Sequence, residues 1–106
     1  MRAIRCAVFG AGHFGRYHAQ KYASLPGAEL VAIVDPDEAR ARALAAELGT
    51  RAATSVEEVA GSIDAASVAV PTHAHFDVAT RLLEAGVHVL VEKPIAETIE
   101  IGRAHV

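Results

Sequence analysis

Short apolar runs alternate with amphipathic stretches along most of the chain. The apolar runs predict five strands, at residues 4–9, 29–34, 51–53, 66–70 and 87–91. The amphipathic stretches predict three helices, at about residues 14–25, 37–48 and 72–85. Ser55 and Glu58 have the spacing of a capping box and predict a further short helix after the third strand.

The order of these elements predicts the fold class. Strands that are apolar throughout and alternate with helices are typical of a parallel sheet covered on both faces. We therefore expect an α/β domain, a doubly wound parallel sheet of the Rossmann type, with right-handed crossovers and strand order 3-2-1-4-5. The order reverses between the first and fourth strands, and ligands of such sheets bind in the crevice at that point.

Each predicted helix has a set of positions that share one face. These are Phe14, His18, Tyr22 and Leu25 in the first helix, Ala41, Leu44, Ala45 and Leu48 in the second, and Val78, Ala79, Leu82 and Leu83 in the third. Faces of this kind pack against the core of a domain, so we expect them to cover the sheet.

A single domain accounts for the length of the chain. With 106 residues the chain can bury one core, but it is too short for a two-domain enzyme. We interpret residues 1–100 as this domain. Residues 101–106 match the translation of a common sequencing-library adapter, and we interpret them as a non-native tail. The natural reading frame is then expected to have been truncated near Glu100.

Composition and charge exclude several kinds of partner. Hydrophobic residues make up 52% of the chain, and the net charge of −3 is spread without blocks of like charge, so we expect neither a nucleic-acid nor a membrane partner. Cys6 is the one cysteine of the sequence and predicts a buried, unreactive thiol in a cytoplasmic protein. His73 and His75 are two positions apart and do not share a helix face, so we expect no metal site.

Three glycines follow the first predicted strand in the pattern G-x-G-x-x-G. Gly10 permits a tight turn, Gly12 leaves the backbone open to a diphosphate, and Gly15 lets the helix and the strand pack closely. The free amides at the start of the helix then face the phosphates. The motif therefore predicts a dinucleotide-binding site.

Asp35 ends the second predicted strand, 20 positions after Gly15, where a carboxylate binds the adenosine ribose of a dinucleotide. The alternative is that Asp35 only caps the helix that follows. A carboxylate at this place repels the 2′-phosphate of NADP, which favours NAD as the cofactor. Arg40 and Arg42 keep NADP open, because a nearby arginine can accommodate that phosphate.

Two further segments follow strands of the predicted sheet, V-P-T-H-A-H at residues 70–75 and E-K-P at residues 92–94. With the glycine motif and V-A-I-V-D at residues 31–35, they make the chain similar to the N-terminal domain of the Gfo/Idh/MocA oxidoreductases, over residues 3 to about 100. The segments V-P-T-H-A-H and V-E-K-P-I-A resemble the sugar-nucleotide members of that family, such as the UDP-N-acetylglucosamine 3-dehydrogenases.

The resemblance implies roles for individual residues. The pyrophosphate is expected to be surrounded by Gly10, Gly12, His13, Phe14 and Gly15. Asp35 would hold the adenosine ribose, the nicotinamide side would be lined by Pro71, Thr72 and His75, and Glu92 would contact the nicotinamide ribose. Lys93 would be the catalytic lysine that hydrogen-bonds the reacting hydroxyl or carbonyl. The alternatives are a surface lysine paired with Glu92 and, for His75, a capping or packing role.

The resemblance implies an enzyme that transfers hydride between nicotinamide and a hydroxyl or carbonyl group of a sugar, polyol or sugar nucleotide. Members of the family bind this substrate with a second domain. We expect these 106 residues not to include that domain, and therefore to bind the cofactor but to turn over little by themselves. The full-length protein is expected to form a homo-oligomer. The alternative function is a nicotinamide-sensing regulatory module without catalysis, which has no use for Glu92-Lys93-Pro94.

Overall fold

A computed structural model of the chain describes residues 3–70 and 72–91. In this part of the chain, strands and helices follow one another in the order β1 (Ile4–Phe9), α1 (His13–Ser24), β2 (Ala28–Val34), α2 (Glu38–Leu48), β3 (Arg51–Ala53), β4 (Ala65–Val68), α3 (Thr72–Glu84) and β5 (His88–Val91). Two short 3-10 helices, Val56–Glu58 and Ala60–Ser62, lie between β3 and β4. Residues 92–106, with the tail predicted at 101–106, lie outside the described residues.

All neighbouring strands of the sheet are parallel, and their order is β3-β2-β1-β4-β5. This confirms the predicted fold class and strand order. Phe9, the last residue of β1, pairs with Val34 of β2 on one side and with Val68 of β4 on the other. The chain therefore leaves β1, β2 and β4 at the same edge of the sheet, where the predicted crevice opens.

The sheet separates two apolar clusters. Phe9, Val34 and Leu82 belong to the cluster on the side of α3, while Val8 and Ile33 belong to the cluster on the side of α1 and α2. Neighbouring residues of a strand point to opposite faces, which explains why Val8 and Phe9 are both buried. Burying a side chain of this size stabilises the fold by roughly 1.5–3 kcal/mol, so both helical layers contribute to stability.

The face predicted for α2 is confirmed, and the one predicted for α1 is correct only in part, since Tyr22 packs against the core cluster. Buried positions of α1 are Gly15 and Ala19, whereas Phe14 is 49% exposed and Leu25 lies beyond the end of the helix. Because α1 packs very closely on β1, the small residues Gly15 and Ala19 make its closest contacts with the sheet. The predicted face therefore includes Tyr22 correctly but misses the two buried positions, Gly15 and Ala19.

The predicted face of α3 is correct only in part. Leu82 is fully buried, but Leu83 is 61% exposed, because successive residues of a helix point about 100° apart. Val87, predicted to start the fifth strand, instead completes the end of α3: its amide donates to the carbonyl oxygen of Leu82 at 3.0 Å. The fourth strand ends at Val68 rather than at Val70.

The predicted capping box is confirmed. The Glu58 carboxylate accepts hydrogen bonds from the backbone amides of Thr54 at 2.8 Å and Ser55 at 3.0 Å. Hydrogen bonds from Thr54 and Ser55 lower the pKa of Glu58, and those from Thr54 have the larger effect. These bonds fix the chain directly after the carboxyl end of β3.

Cys6 is buried in β1, as predicted. Burial raises the pKa of its thiol, which disfavours the reactive thiolate form. In the described ranges, no helix is both long and apolar enough to cross a membrane.

Candidate functional site

The turn predicted at Gly10 is present where β1 ends. Gly10 has φ of 111°, and its amide donates to the carbonyl oxygen of Val34 at 2.7 Å. A Cβ atom at this position would lie 2.5 Å from the carbonyl oxygen of Ala69, which follows β4. A side chain is therefore excluded by conformation and by space, and β4 can approach the turn closely.

Gly15 provides the close packing of helix on strand that the motif predicts. A Cβ atom at Gly15 would lie 1.6 Å from the carbonyl oxygen of Gly10. The first turn of α1 thus rests directly on the backbone of the turn at Gly10. The amides at the start of α1 are held at the carboxyl edge of the sheet by this contact.

Asp35 links the end of β2 to the glycine motif. Its carboxylate is buried, and Oδ2 accepts a hydrogen bond from the amide of Ala11 at 2.8 Å. Its Oδ1 accepts one from the amide of Asp37, also at 2.8 Å. The cap of α2 is Asp37, whose carboxylate accepts from the amide of Arg40 at 3.2 Å. The interpretation of Asp35 as the cap of this helix is therefore wrong.

Arg40 and Arg42 are oriented differently. Arg40 Nη2 lies 3.6 Å from Asp35 Oδ2, and the Arg40 side chain is 55% exposed. Arg42 pairs with Glu38 at 2.7 Å, and its side chain is 71% exposed. Arg40 contributes to the cleft described next, and Arg42 is not among the described residues that line it.

A cleft of about 350 Å³ opens where the strand order reverses. It is lined by Gly10, Asp35, Pro36, Asp37, Arg40, Ala69, Val70, Ala74 and Val78. These residues come from the carboxyl ends of β1, β2 and β4, from the start of α2 and from α3, and a cleft at the carboxyl ends of strands is where the topology predicts a ligand site. Gly10 and Asp35, which the sequence predicts as site residues, therefore share one cleft.

An apolar slot of about 180 Å³ continues this cleft. It is lined by Phe9, Val34, Pro36, Thr54, Ser55, Val56, Val70, Val78 and Arg81. Sequence reasoning missed the slot, although Thr54 and Ser55 follow the carboxyl end of β3, at the edge where ligands bind. Arg81 is held by ion pairs to Glu57 and Asp77, and the hydrogen bond from Arg81 lowers the pKa of Glu57.

Of the other predicted site residues, some line a different surface, and some lie outside the part of the chain that the structure describes. Side chains of His13 and Phe14 are exposed and line an open depression of about 430 Å³ with Tyr17 and His18. Thr72 is the first residue of α3 and His75 lies one turn further on, but their side chains are outside the described residues. Pro71, Glu92 and Lys93 are also outside the described residues.

Metal-binding side chains do not cluster in the part of the chain that the structure covers. No group of three or more His, Cys, Asp or Glu residues there could hold an ion. The charged side chains of the described residues that line the cleft are those of Asp35, Asp37 and Arg40.

Similar proteins are found at the levels of family, sequence and structure. The model of the Gfo/Idh/MocA oxidoreductase family, NAD-binding Rossmann fold, matches residues 4–106. The UDP-N-acetylglucosamine 3-dehydrogenase of Acidithiobacillus ferrooxidans is 46% identical over 91 residues, which cover 86% of this chain and 28% of that protein. The scyllo-inositol 2-dehydrogenase (NAD(+)) of Bacillus subtilis is 40% identical, and the match covers 95% of this chain and 31% of that protein.

Among solved structures, GenD2 from gentamicin A biosynthesis, crystallised in complex with NAD, superposes with a TM-score of 0.88 at 31% identity. The match covers 98% of this chain and 30% of GenD2. The chain thus spans about a third of the length of the relatives that it matches.

Proposed function

The chain belongs to the Gfo/Idh/MocA oxidoreductase family, and from this premise we propose that its cleft binds a nicotinamide dinucleotide for hydride transfer. The observation that carries the proposal is the buried Asp35 carboxylate, which the amide of Ala11 fixes against the glycine motif. The turn proposed to face the phosphates and the carboxylate proposed to bind the ribose lie side by side at one edge of the sheet.

The diphosphate would bind at the start of α1. The first amides of a helix have no acceptor within the helix, and the helix dipole adds a partial positive charge there. Residues 12–15 carry these amides, and Gly12 leaves their approach open. His13 and Phe14 would contribute through their backbone, because their side chains line a different surface.

The adenosine would bind at Asp35 and in the apolar slot. A carboxylate has about four acceptor sites, and two of those on Asp35 are filled by the amides of Ala11 and Asp37. Acceptor sites therefore remain for both hydroxyls of a ribose. The slot begins beside Pro36 and has mostly apolar walls, which suit a planar base.

Asp35 also supports a preference for NAD over NADP. A buried carboxylate next to the 2′ position of the ribose accepts a hydroxyl proton but repels a phosphate. The NAD-bound GenD2 structure and the name of the Bacillus subtilis relative agree with this proposal.

The substrate proposed for the full-length protein is a sugar, polyol or sugar nucleotide, since the relatives are dehydrogenases of inositols and of a UDP-sugar. The cofactor supplies hydride acceptance or donation at its nicotinamide ring. Lys93 would donate a hydrogen bond to the reacting oxygen and stabilise its alkoxide character. Pro71, Thr72 and His75 would line the nicotinamide side, and Glu92 would contact its ribose.

Replacing Lys93 tests the catalytic part of the proposal. In a form of the protein as long as its relatives, Lys93→Ala is expected to lower kcat by about 10²-fold or more, with NAD affinity nearly unchanged, because the ammonium acts mainly on the reacting oxygen. Lys21→Ala is the matched control, since Lys21 lies over the ring of Tyr17 on the surface of α1. An unchanged kcat with strongly weakened NAD binding would contradict the assigned role and would favour a sensing module.

A further inference from the structure

A hydrogen bond between two side chains joins α1 to β4 in the interior of the domain. The hydroxyl oxygens of Tyr22 and Ser67 lie 2.6 Å apart. Ser67 is 1% exposed, and Tyr22 packs against the apolar cluster on the side of α1 and α2. The bond therefore connects the third turn of α1 with the strand on the far side of the point where the strand order reverses.

Packing alone does not explain a serine at this place in β4. Asp35 and Ser67 are the two polar or charged side chains that are buried in the described part of the chain. A buried hydroxyl costs free energy unless it is hydrogen-bonded, and an alanine would fill a similar space without that cost. Asp35 holds the glycine turn from the end of β2, and Ser67 holds α1 from β4. Polar contacts from both strands that flank β1 thus fix α1 and the turn before it.

The Tyr22–Ser67 bond lies where it can set the tilt of α1. The helix rests on the turn at Gly10 through Gly15, where no room is left for a Cβ atom. With a rise of about 1.5 Å per residue, Tyr22 lies roughly 10 Å from Gly15 in one direction and Gly12 roughly 4.5 Å from it in the other. If α1 pivots on Gly15, a shift of about 1 Å at Tyr22 moves the first amides by about 0.4 Å. This movement is comparable with the roughly 0.5 Å within which binding groups have to be held.

We propose that Tyr22 is a positioning residue for diphosphate binding: its hydrogen bond to Ser67 fixes the tilt of α1, and this tilt aims the amides of residues 12–15 at the diphosphate. The inference rests on the proposed function, because it takes these amides to bind the phosphates. Tyr22 itself does not touch the nucleotide, since it lies more than two turns from the start of α1. The Asp35 carboxylate is held by other hydrogen bonds, so ribose binding does not depend on Tyr22.

Calorimetric titration of the chain with adenosine, ADP and NADH tests this role, because only ADP and NADH carry a diphosphate. Tyr22→Phe removes the hydroxyl and keeps the ring. We expect it to weaken ADP and NADH binding about 3- to 10-fold, because the hydrogen bonds to the phosphates become misaligned. Adenosine affinity should stay within about twofold. Tyr17→Phe is the matched control, with the same change on the same helix at a residue that is 56% exposed, and it should leave all three affinities unchanged.

A double substitution separates positioning from stability. Tyr22→Phe alone leaves the Ser67 hydroxyl buried without this partner, and the melting temperature should fall by at least about 4 °C. Tyr22→Phe combined with Ser67→Ala removes both hydroxyls, so most of the melting temperature should be recovered. The affinities for ADP and NADH should stay reduced, because α1 is still not tied to β4. Circular dichroism measures the melting of each variant, and the double substitution provides the test if the single one does not fold.

Failure of this inference is distinct from failure of the proposed function. If the unmodified chain binds ADP and NADH, and Tyr22→Phe binds them like Tyr17→Phe, the positioning role is overturned while the dinucleotide site stands. The same holds if adenosine binding weakens as much as ADP binding, or if the double substitution restores ADP affinity together with the melting temperature. If the folded, unmodified chain binds neither ADP nor NADH, the proposed function itself fails, and this inference with it.

Discussion

Gly15→Ala is expected to lower the free energy of unfolding by about 3 kcal/mol and to abolish NADH binding. The new Cβ atom would lie 1.6 Å from the carbonyl oxygen of Gly10, which is backbone and cannot rotate away. Either α1 must shift off the sheet or the turn at Gly10 must open. For a domain of this size the melting temperature should fall by roughly 12–24 °C.

Gly61→Ala is the matched control for this substitution. Gly61 lies in a short 3-10 helix, has no strained backbone angle and has nothing within 4 Å of an added Cβ atom. Its free energy of unfolding should change by no more than about 0.5 kcal/mol. Urea denaturation and NADH titration of both variants measure the difference. Equal midpoints and equal NADH affinities would show that α1 does not pack on the turn as described.

Asp35→Asn is expected to weaken NADH binding about 10- to 100-fold, because hydrogen bonds from the ribose to a charged acceptor are lost. It should also destabilise the fold by about 1–3 kcal/mol. Asparagine offers one oxygen and one amino group, so the amide of Ala11 or that of Asp37 would face a second donor. The turn and the cleft are both affected, since Asp35 joins them.

The control for Asp35→Asn is Glu38→Gln, which removes one negative charge three residues along the chain. Glu38 is exposed, pairs with Arg42 and is not among the described residues lining the cleft. Its NADH affinity should remain close to that of the unmodified chain. Calorimetric titration measures both variants, and an Asp35→Asn variant that binds NADH as tightly as Glu38→Gln would contradict the ribose-binding role.

The topology and the position of the cleft were predictable because their signals are local. Gly10 and Gly15 occupy positions where a turn and a close contact require glycine, and apolar runs mark the strands. The contact of Asp35 with Ala11 joins residues 24 positions apart and has no local signal. The sequence predicts the Asp35 carboxylate as a ribose ligand. It does not predict that the same carboxylate accepts a hydrogen bond from Ala11 and so holds the glycine turn in place.

Other features depend on geometry that the pattern of apolar residues does not contain. Arg40 and Arg42 are equivalent in the sequence, and only their directions on α2 separate the cleft-facing arginine from the one that pairs with Glu38. The pattern of large apolar side chains did not indicate the closest contacts of α1 with the sheet, because Gly15 and Ala19 are too small to stand out in it.

A crystal structure of the chain soaked with NADH tests the central claim most directly. The account predicts diphosphate oxygens within hydrogen-bond distance of the first amides of α1 and both adenosine ribose hydroxyls on the Asp35 carboxylate. A dinucleotide bound elsewhere, or a cleft without NADH at a saturating concentration, would contradict it.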